Sequence, residues 1–354
     1  MRILLYSGKG GVGKTSLAAA TGVQLARRGL KTLVMSVDPA HSLADAFALK
    51  TSLFDPATAD ATQVRDHLFV QEVNIQVELK RHWADIAGYL TTVLRTSGLG
   101  DIEAEEMAIL PGMEELSAMM YVNQYRARAT FDVIVLDCAP TAESLRFVSM
   151  PTTLDWYMKH VFPVERRVLN VVRPLANKLS PVELPSDSYF ANIKSLFEKL
   201  DGVDTVLQDP ATTSVRLVSN AERMVVRETQ RAYVYFRLYG LSVDTILVNR
   251  LLPDDAEGSF LGPLRASQQQ LLTEMTSYFD PVPVRRVPMF RDEVVGLDAL
   301  DRLADVLDTL DPDPSRVTRS ASPYTFSRQA GVHQVRLSMP FASRQEVQLF
   351  KKGD

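Results

Sequence analysis

The sequence of 354 residues has little of three features that would each point to a particular class of protein. It has one cysteine, Cys138, so a disulfide or a site built from several cysteines within one chain is excluded. No apolar run approaches the roughly 20 residues that cross a bilayer. The net charge of −4 includes no long basic run, so we expect no nucleic-acid partner. The first apolar run begins at Ile3, which leaves no room for a signal peptide, and we expect a cytoplasmic location.

The composition is that of an ordinary globular protein, with 46% apolar and 23% charged residues, and a chain of this length can bury a substantial core. Apolar runs alternate with segments of helical length, which is typical of parallel strands joined by right-handed crossovers. We therefore predict an α/β fold with a doubly wound, mostly parallel sheet over residues 1–310. Two helical stretches, at about residues 74–128 and 152–200, are predicted as a helical insertion.

Residues 8–16 carry the strongest motif, Gly-Lys-Gly-Gly-Val-Gly-Lys-Thr-Ser. The spacing matches the phosphate-binding loop (P-loop), in which glycines let backbone N–H groups turn toward a phosphate at the start of a helix. In such a loop Lys14 neutralises the β- and γ-phosphates and the Thr15 hydroxyl binds Mg²⁺. The predicted phosphate contacts are Gly8, Gly10, Gly11, Val12, Gly13, Lys14, Thr15 and Ser16.

Lys9 lies inside the same loop, although Lys14 already serves the terminal phosphates. One interpretation is a solvated surface lysine. The other is that Lys9 reaches the nucleotide of a second subunit and stabilises charge there, as an arginine finger does. The second interpretation predicts a homodimer with nucleotide at its interface.

Two further segments accompany the loop: Ser-Val-Asp-Pro-Ala-His-Ser-Leu at residues 36–43 and Asp-Cys-Ala-Pro-Thr-Ala-Glu-Ser-Leu-Arg at residues 137–146. Together the three motifs resemble the dimeric ATPases with a deviant phosphate loop, in their arsenite-pump and tail-anchored-protein-targeting branch. The resemblance covers residues 1–310. It implies that ATP is hydrolysed with Mg²⁺, that Asp38 orients or deprotonates the attacking water, and that Asp137 supports the metal.

The positions of these two aspartates also make sense without the resemblance. Asp38 follows an apolar run over residues 31–37, and Asp137 follows another over residues 131–136. In open α/β sheets, ligands bind at the carboxyl ends of the strands. A simpler interpretation of Asp38 is a helix N-cap.

A nucleobase site is predicted from a later part of the chain. Asn249 and Arg250 follow a predicted strand at residues 243–248, and the resemblance implies that Asn249 contacts the adenine edge. Residues 287–293, with Pro288 and Phe290, resemble the adenine loop of the family. The chain lacks the Asn-Lys-x-Asp tetrad of guanine-specific proteins, so ATP is favoured over GTP. The alternative for Asn249 is a turn residue at the end of a strand.

Residues 36–43 resemble the first switch of the family, and residues 137–146 resemble its second switch. The second switch differs from the family at one position, because Ala142 stands where glycine is usual. Residues 140–146 are expected to move on hydrolysis, and a side chain there restricts φ. We therefore expect altered switching with activity retained.

Two apolar sets in the helical stretches suit either core packing or a groove for a hydrophobic or tail-anchored client. The first set is Met107, Ile109, Leu110, Met113, Leu116, Met119 and Met120. The second set is Leu154, Trp156, Tyr157, Met158, Val161 and Phe162.

Two other functions are considered. An efflux ATPase for metalloids or anions would work with a membrane channel as a transient partner, and the single cysteine argues against a metalloid site. An ATPase that cycles on membranes would need an amphipathic terminal helix.

The carboxyl end has a different pattern. Residues 311–324 contain Pro312, Pro314 and Pro323 and are predicted to be a linker. Residues 325–354 then alternate in polarity, with strands expected around residues 332–337 and 346–349. This segment resembles the opening of the small-heat-shock-type β-sandwich found in some members of the branch. Because two strands alone are marginally stable, we expect it to dock on the ATPase body or a neighbouring chain, or to be a shortened form of that domain.

Overall fold

The computed structural model describes residues 1–38, 42–49, 60–78, 113–138, 187–318, 324–329 and 332–337, and positions 88, 91, 144, 149, 150 and 159. An eight-stranded sheet with helices on both faces forms the centre of the described chain. The predicted α/β fold with a mostly parallel sheet is confirmed.

The strands of the sheet occur in the spatial order β3-β4-β2-β5-β1-β6-β7-β8. Every neighbouring pair is parallel except β3 and β4, which are antiparallel at one edge. The central strands are buried on both faces, as is usual where helices cover a parallel sheet. The strands are Arg2–Gly8 (β1), Thr32–Ser36 (β2), Thr62–Arg65 (β3), Leu68–Glu72 (β4), Val133–Asp137 (β5), Thr213–Asn220 (β6), Val243–Leu251 (β7) and Val284–Pro288 (β8).

The helices of the described chain form two layers. They are Lys14–Arg27 (α1), Ser42–Ala46 (α2), Ile75–Glu78 (α3), Met113–Ala127 (α4), Asp187–Leu200 (α5), Val203–Gln208 (α6), Arg223–Leu238 (α7), Gly258–Phe279 (α8) and Leu297–Leu310 (α9). One apolar core, built on α1, α2 and α9, covers one face of the sheet. The other core contains residues of α4 to α8 and covers the opposite face.

The first helix ends at a glycine. Gly29 has a φ of 80°, and its N–H donates to Ala26 O while the N–H of Leu30 donates to Leu25 O. This pair of bonds is the Schellman motif, which satisfies the last carbonyls of a helix and favours glycine at the left-handed position. Gly29 therefore closes the first helix.

The described members of the first apolar set lie in the core. Met113, Leu116, Met119 and Met120 are all buried on α4 and pack against the sheet. Burial of this kind is what core packing requires and leaves little of these side chains for a client. Residues 107–110 and all members of the second set, at positions 154, 156–158, 161 and 162, lie outside the described residues.

The chain after α9 is fixed to the sheet by a buried arginine. Arg216 of β6 is an ion-pair partner of Asp244 at 3.6 Å and of Asp311 at 2.8 Å, and it donates to Pro314 O at 3.3 Å. Asp244 also accepts a hydrogen bond from Ser214 at 2.8 Å. The first part of the predicted linker is therefore packed against the body.

An antiparallel hairpin of Tyr324–Gln329 (β9) and Val332–Leu337 (β10) follows. The strand at residues 332–337 matches the prediction, but its partner is β9, at residues where no strand was expected. The local alternation around residues 324–329 is interrupted by serine and arginine, so the pairing with β10 identifies the strand better than its own pattern does. The strand expected at residues 346–349 lies outside the described residues.

Within the described ranges, no helix combines the length and the apolar character needed to span a membrane.

Candidate functional site

The phosphate loop connects the end of β1 to the start of α1, as the motif predicts. At Gly8 a Cβ atom would collide with the carbonyl oxygen of Val218 on the neighbouring strand β6. At Gly13, where φ is 93°, it would collide with Nδ2 of Asn249. Both positions therefore require glycine, one because of a backbone neighbour and the other because of a side chain that approaches the loop.

The two lysines of the loop point to different surroundings. Lys14 is buried, and its ammonium group donates to Lys9 O at 3.3 Å. Lys9 is partly exposed, and its side chain makes no hydrogen bond or ion pair with any residue that the structure describes. Lys14 therefore lies within the loop, and the charge of Lys9 is available to an outside group.

Asp137 ends β5 and is fully buried between β1 and β2, opposite Tyr6 on one side and Ser36 on the other. Neither carboxylate oxygen accepts a hydrogen bond of ordinary geometry from the described residues. Burial raises the pKa of Asp137 to about 7, although the Thr15 hydroxyl and the Lys14 charge partly offset that effect. A buried carboxylate with unused oxygens, facing a threonine hydroxyl, is the donor set expected for a cation.

These donors suit Mg²⁺ in particular. In the described part of the chain, no group of three or more His, Cys, Asp or Glu residues could hold a metal. Mg²⁺ usually takes one or two protein oxygens and completes its shell with phosphate and water. Thr15 and Asp137 therefore fit a magnesium ion that binds together with a nucleotide.

Asp38 lies beside Asp137. Its N–H donates to Ser36 Oγ at 3.2 Å, and the Val37 N–H donates to Asp137 O at 2.9 Å. The charge of Asp38 also contributes to the raised pKa of Asp137, after burial. Asp38 and Asp137 therefore meet at the carboxyl edge of the sheet, next to the phosphate loop.

Glu72 is a site residue that the sequence analysis missed. This buried carboxylate ends β4, and its Oε1 accepts the N–H groups of Leu43 at 3.0 Å and Ala44 at 2.9 Å. In the same helix, the Ser42 hydroxyl shares a 3.0 Å hydrogen bond with the Thr15 hydroxyl. Glu72 could have been suspected, because it also follows an apolar run, as Asp38 and Asp137 do. Its hydrogen-bond partners, the N–H groups of Leu43 and Ala44, could not have been predicted from the sequence.

Asn249 and Arg250 both bind the outer side of the phosphate loop. Nδ2 of Asn249 donates to Val12 O at 2.9 Å, and Oδ1 of the same amide accepts the Arg250 N–H at 2.9 Å. The Arg250 guanidinium donates to Gly11 O at 2.9 Å, from a backbone with a φ of 59°. The end of β7 therefore fixes two carbonyls of the loop, a contact that the motifs alone did not predict.

A cavity of about 480 Å³ extends from this point. Seven of the predicted nucleotide contacts line this cavity. They are Gly13, Thr15, Ser16, Asn249, Arg250, Pro288 and Phe290. Ser42 and Asp45 of α2 line the same cavity, so residues far apart in sequence meet around one space of nucleotide size.

Some predicted features fall outside the described residues. They are positions 39–41 of the first switch and positions 139–143 and 145–148 around the second, including Ala142. The expected effect of Ala142 on switching stays a prediction.

Cys138 follows Asp137 and is buried. Burial, and next the charge of Asp137, raise the pKa of its thiol well above the ordinary value. The thiol is therefore protonated at neutral pH and packs as a small buried side chain.

A phosphate loop between β1 and α1, with a buried aspartate at the end of the adjacent strand, defines a P-loop nucleotide-binding protein. The family model described as anion-transporting ATPase matches residues 1–309. The chain therefore belongs to the anion-transporting ATPase family and is a P-loop ATP hydrolase.

Individual relatives agree with this assignment. The chain is similar to the putative arsenical pump-driving ATPase 1 of Aquifex aeolicus, with 42% identity over 100% of this chain and 90% of that protein. It is 39% identical to the putative arsenical pump-driving ATPase of Chlorobaculum tepidum, over 100% of this chain and 86% of that protein. It is 28% identical to the ATPase GET3C of Arabidopsis thaliana, over 86% of this chain and 81% of that protein.

Proposed function

We propose that this ATPase hydrolyses Mg²⁺-ATP at an interface between two copies of the chain and uses the cycle to bind and release a hydrophobic client. The observation that carries the hydrolytic part is the buried Asp137 carboxylate, which faces Thr15 beside the phosphate loop. Backbone N–H groups of the loop and Lys14 bind the phosphates. Thr15 and Asp137 hold Mg²⁺, which neutralises charge on the β- and γ-phosphates when bound.

Asp38 is proposed to position the attacking water. It lies at the carboxyl edge of the sheet near Asp137, and its backbone is fixed by Ser36. A carboxylate there can accept a hydrogen bond from water and orient it toward the γ-phosphate. An Asp38→Asn variant is expected to bind ATP normally and to lose most turnover.

The base is proposed to bind between Asn249 and residues 288–293. The cavity reaches from Gly13 to this loop, and Phe290 offers an aromatic face. The Asn249 amide has one further N–H and one further lone pair beyond its bonds to Val12 and Arg250, which suits the adenine edge.

Lys9 is proposed to act across the dimer. Its backbone carbonyl binds Lys14, while its side chain is partly exposed and unpartnered within the described chain. A cation in this position can stabilise transition-state charge in the partner's site, as an arginine finger supplied in trans does.

A subunit-mixing experiment tests the trans role. Lys9→Ala and Asp38→Asn chains should each be nearly inactive alone. In a mixed dimer, one site combines Lys9 from one chain with Asp38 from the other. An equimolar mixture should then recover about a quarter of wild-type turnover, because random pairing makes half the dimers mixed and each has one intact site. If Lys9 acts within its own subunit, the mixture stays inactive.

The client is proposed to be apolar protein. Support comes from the apolar sequence of the second set, Leu154 to Phe162. The methionines of α4 give no such support, because they are buried in the core. Wild type and Asp38→Asn should bind an apolar helical peptide with affinities that differ between ATP and ADP. Equal affinity in both nucleotides would contradict coupling of ATP to a client.

A metalloid or anion efflux role is the second candidate, because relatives are named arsenical pump-driving ATPases. The chain has one cysteine, and it is buried. Arsenite should therefore leave turnover unchanged, whereas stimulation by arsenite would favour the efflux role and a membrane-protein partner.

A further inference from the structure

We propose that Glu72 is a positioning residue for hydrolysis, which fixes α2 against the phosphate loop by accepting the N–H groups of Leu43 and Ala44. This inference rests on the proposed assignment of Thr15 to magnesium and of Asp38 to the attacking water. Glu72 itself touches neither substrate nor metal in the proposed mechanism.

The carboxylate of Glu72 is buried at the end of β4. A buried carboxylate is costly unless it is hydrogen-bonded. One of its oxygens accepts two backbone N–H groups at 3.0 and 2.9 Å, which are bonds of the strong, charge-assisted kind. These N–H groups lie in the first turn of α2, where no earlier turn can supply a partner. Glu72 therefore connects the end of β4 to the start of α2.

The start of α2 contacts the phosphate loop. Ser42, the first residue of α2, shares a 3.0 Å hydrogen bond with Thr15, the proposed magnesium ligand. Ser42 also lines the cavity. A shift of α2 would therefore move a hydroxyl that contacts Thr15 directly.

Asp38 lies shortly before α2 in the chain. Asp38 is held at its backbone by Ser36, and α2 is held at Leu43 and Ala44 by Glu72. The chain between these two anchors is short, so releasing one anchor loosens the position of Asp38. Glu72 is thus expected to affect the chemical step more than the binding of ATP, which depends on the loop itself.

The opposite face of β4 offers a matched control. Gln71, the preceding residue, is also fully buried, and its Oε1 accepts the Tyr125 hydroxyl at 2.9 Å. Gln71→Ala therefore removes a partly buried hydrogen bond from the same strand, on the face away from the phosphate loop. It should lower stability and leave kcat close to that of the parent.

The test measures kcat and KM for ATP in Glu72→Ala, Glu72→Gln and Gln71→Ala. Glu72→Ala should lower kcat by roughly 10- to 100-fold, with KM within about threefold, since small misplacements of catalytic groups have effects of this size. Glu72→Gln keeps an oxygen at the same place and should retain kcat within about fivefold of wild type. If the role of Glu72 were purely structural, Glu72→Ala would lower the amount of folded protein. It would not lower kcat selectively over KM, and Glu72→Gln would not restore kcat.

Hydrogen exchange supplies a readout that does not depend on turnover. In the absence of nucleotide, the peptide covering residues 42–49 should exchange faster in Glu72→Ala than in wild type, while residues 14–27 stay protected. Should Glu72→Ala fail to fold, Glu72→Asp carries the same test, because it keeps the charge and withdraws the oxygen by one methylene. It should show a smaller loss of kcat and faster exchange in the same peptide.

The proposal is overturned if Glu72→Ala, or Glu72→Asp in its place, keeps kcat within twofold of wild type. It is also overturned if exchange at residues 42–49 is unchanged or if Glu72→Gln is as damaged as Glu72→Ala. Asp38→Asn and Thr15→Ala, measured in parallel, test the proposed function itself. If these two variants lose turnover and Glu72→Ala does not, the positioning role alone fails. If Asp38→Asn or Thr15→Ala keeps full turnover, the proposed mechanism fails.

Discussion

The side-chain amide of Asn249 donates a hydrogen bond to the carbonyl of Val12, 2.9 Å away, although the two residues are 237 positions apart in the chain. The end of β7 thereby holds the phosphate loop from outside. Asn249 was predicted from the family to contact adenine, and this bond gives it a second task that does not depend on the base.

The first prediction separates those two tasks. Asn249→Ala should weaken binding of inorganic pyrophosphate, which has no base, by several-fold, because a net hydrogen bond is worth about 1 kcal/mol. It should weaken binding of ATP by more, and the excess measures the contact to adenine. Calorimetric titration of both ligands gives the two losses.

The control for this variant is Asn123→Ala on α4. Asn123 donates to the carbonyls of Lys199 and Asp201, both at 2.9 Å, far from the loop in the fold. It should lower stability and leave both affinities as they are. Unchanged pyrophosphate binding in Asn249→Ala would show that the bond to Val12 does not support the loop.

The second prediction concerns Gly13, whose missing Cβ makes room for Asn249. Gly13→Ala adds an atom where Nδ2 lies and also places alanine at a φ of 93°. ATP affinity should fall on the order of 100-fold, since the loop must shift to relieve the collision. The change can be measured by equilibrium binding of a fluorescent ATP analogue.

Gly29→Ala is the matched control for Gly13→Ala. Gly29 also has a positive φ, of 80°, but no atom lies within 4 Å of the added Cβ. Only the left-handed strain of roughly 1–2 kcal/mol remains, so stability falls and ATP affinity is kept. In the double variant Gly13→Ala/Asn249→Ala part of the lost affinity should return; strictly additive losses would rule out a collision between the two.

The parts of this site that could be predicted are those with a local signal. Short runs of residues encode the phosphate loop, α1 with Gly29, and the strands that end at Asp137 and near Asn249. The pairing of Asn249 with Val12 could not be predicted, because both atoms are ordinary and only the tertiary fold brings them together.

Glu72 illustrates the same limit. The strands β3 and β4 are short and partly polar, and pairing with β2 defines β4 more than its own pattern does. The two N–H partners of Glu72 lie 29 and 28 positions earlier in the chain. A sequence pattern reports which face a residue occupies, and it does not report which loop will fold against it.

The third prediction uses the raised pKa of Asp137, about 7 in the folded protein against 3.8 as its ordinary value. The folded state binds this proton more tightly than the unfolded chain does. Ionisation of the buried Asp137 therefore costs no stability at low pH, costs increasingly more as the pH rises from about 4 to 7, and reaches its full cost above 7. At about 1.4 kcal/mol per pH unit, the full cost is at most about 4.5 kcal/mol.

Asp137→Asn keeps the shape and removes the charge. Without nucleotide and magnesium, it should raise Tm by several degrees at pH 8, and the gain should shrink as the pH is lowered to 5. The same variant should lose magnesium-dependent turnover, since the neutral amide lacks the negative charge with which a carboxylate binds Mg²⁺. A gain in Tm that is independent of pH would contradict the titration of Asp137 as its cause.

The fourth prediction concerns the buried arginine that holds the chain after α9. Arg216→Met leaves Asp244 and Asp311 without their cation, and breaking a buried pair in this way typically costs 3–5 kcal/mol, so unfolding in urea should shift by about that amount. Arg216→Met/Asp244→Asn removes the uncompensated charge as well and should recover part of the loss. The exposed pair of Asp305 with Arg27 is the control, since Asp305→Ala leaves Arg27 paired with Asp301 and should cost only about 1 kcal/mol or less. Turnover per folded molecule should stay unchanged in all three variants, because the network lies in the middle of β6, away from the edge of the sheet where the nucleotide is proposed to bind. A loss of kcat in Arg216→Met would mean that the segment after α9 and the nucleotide site are coupled.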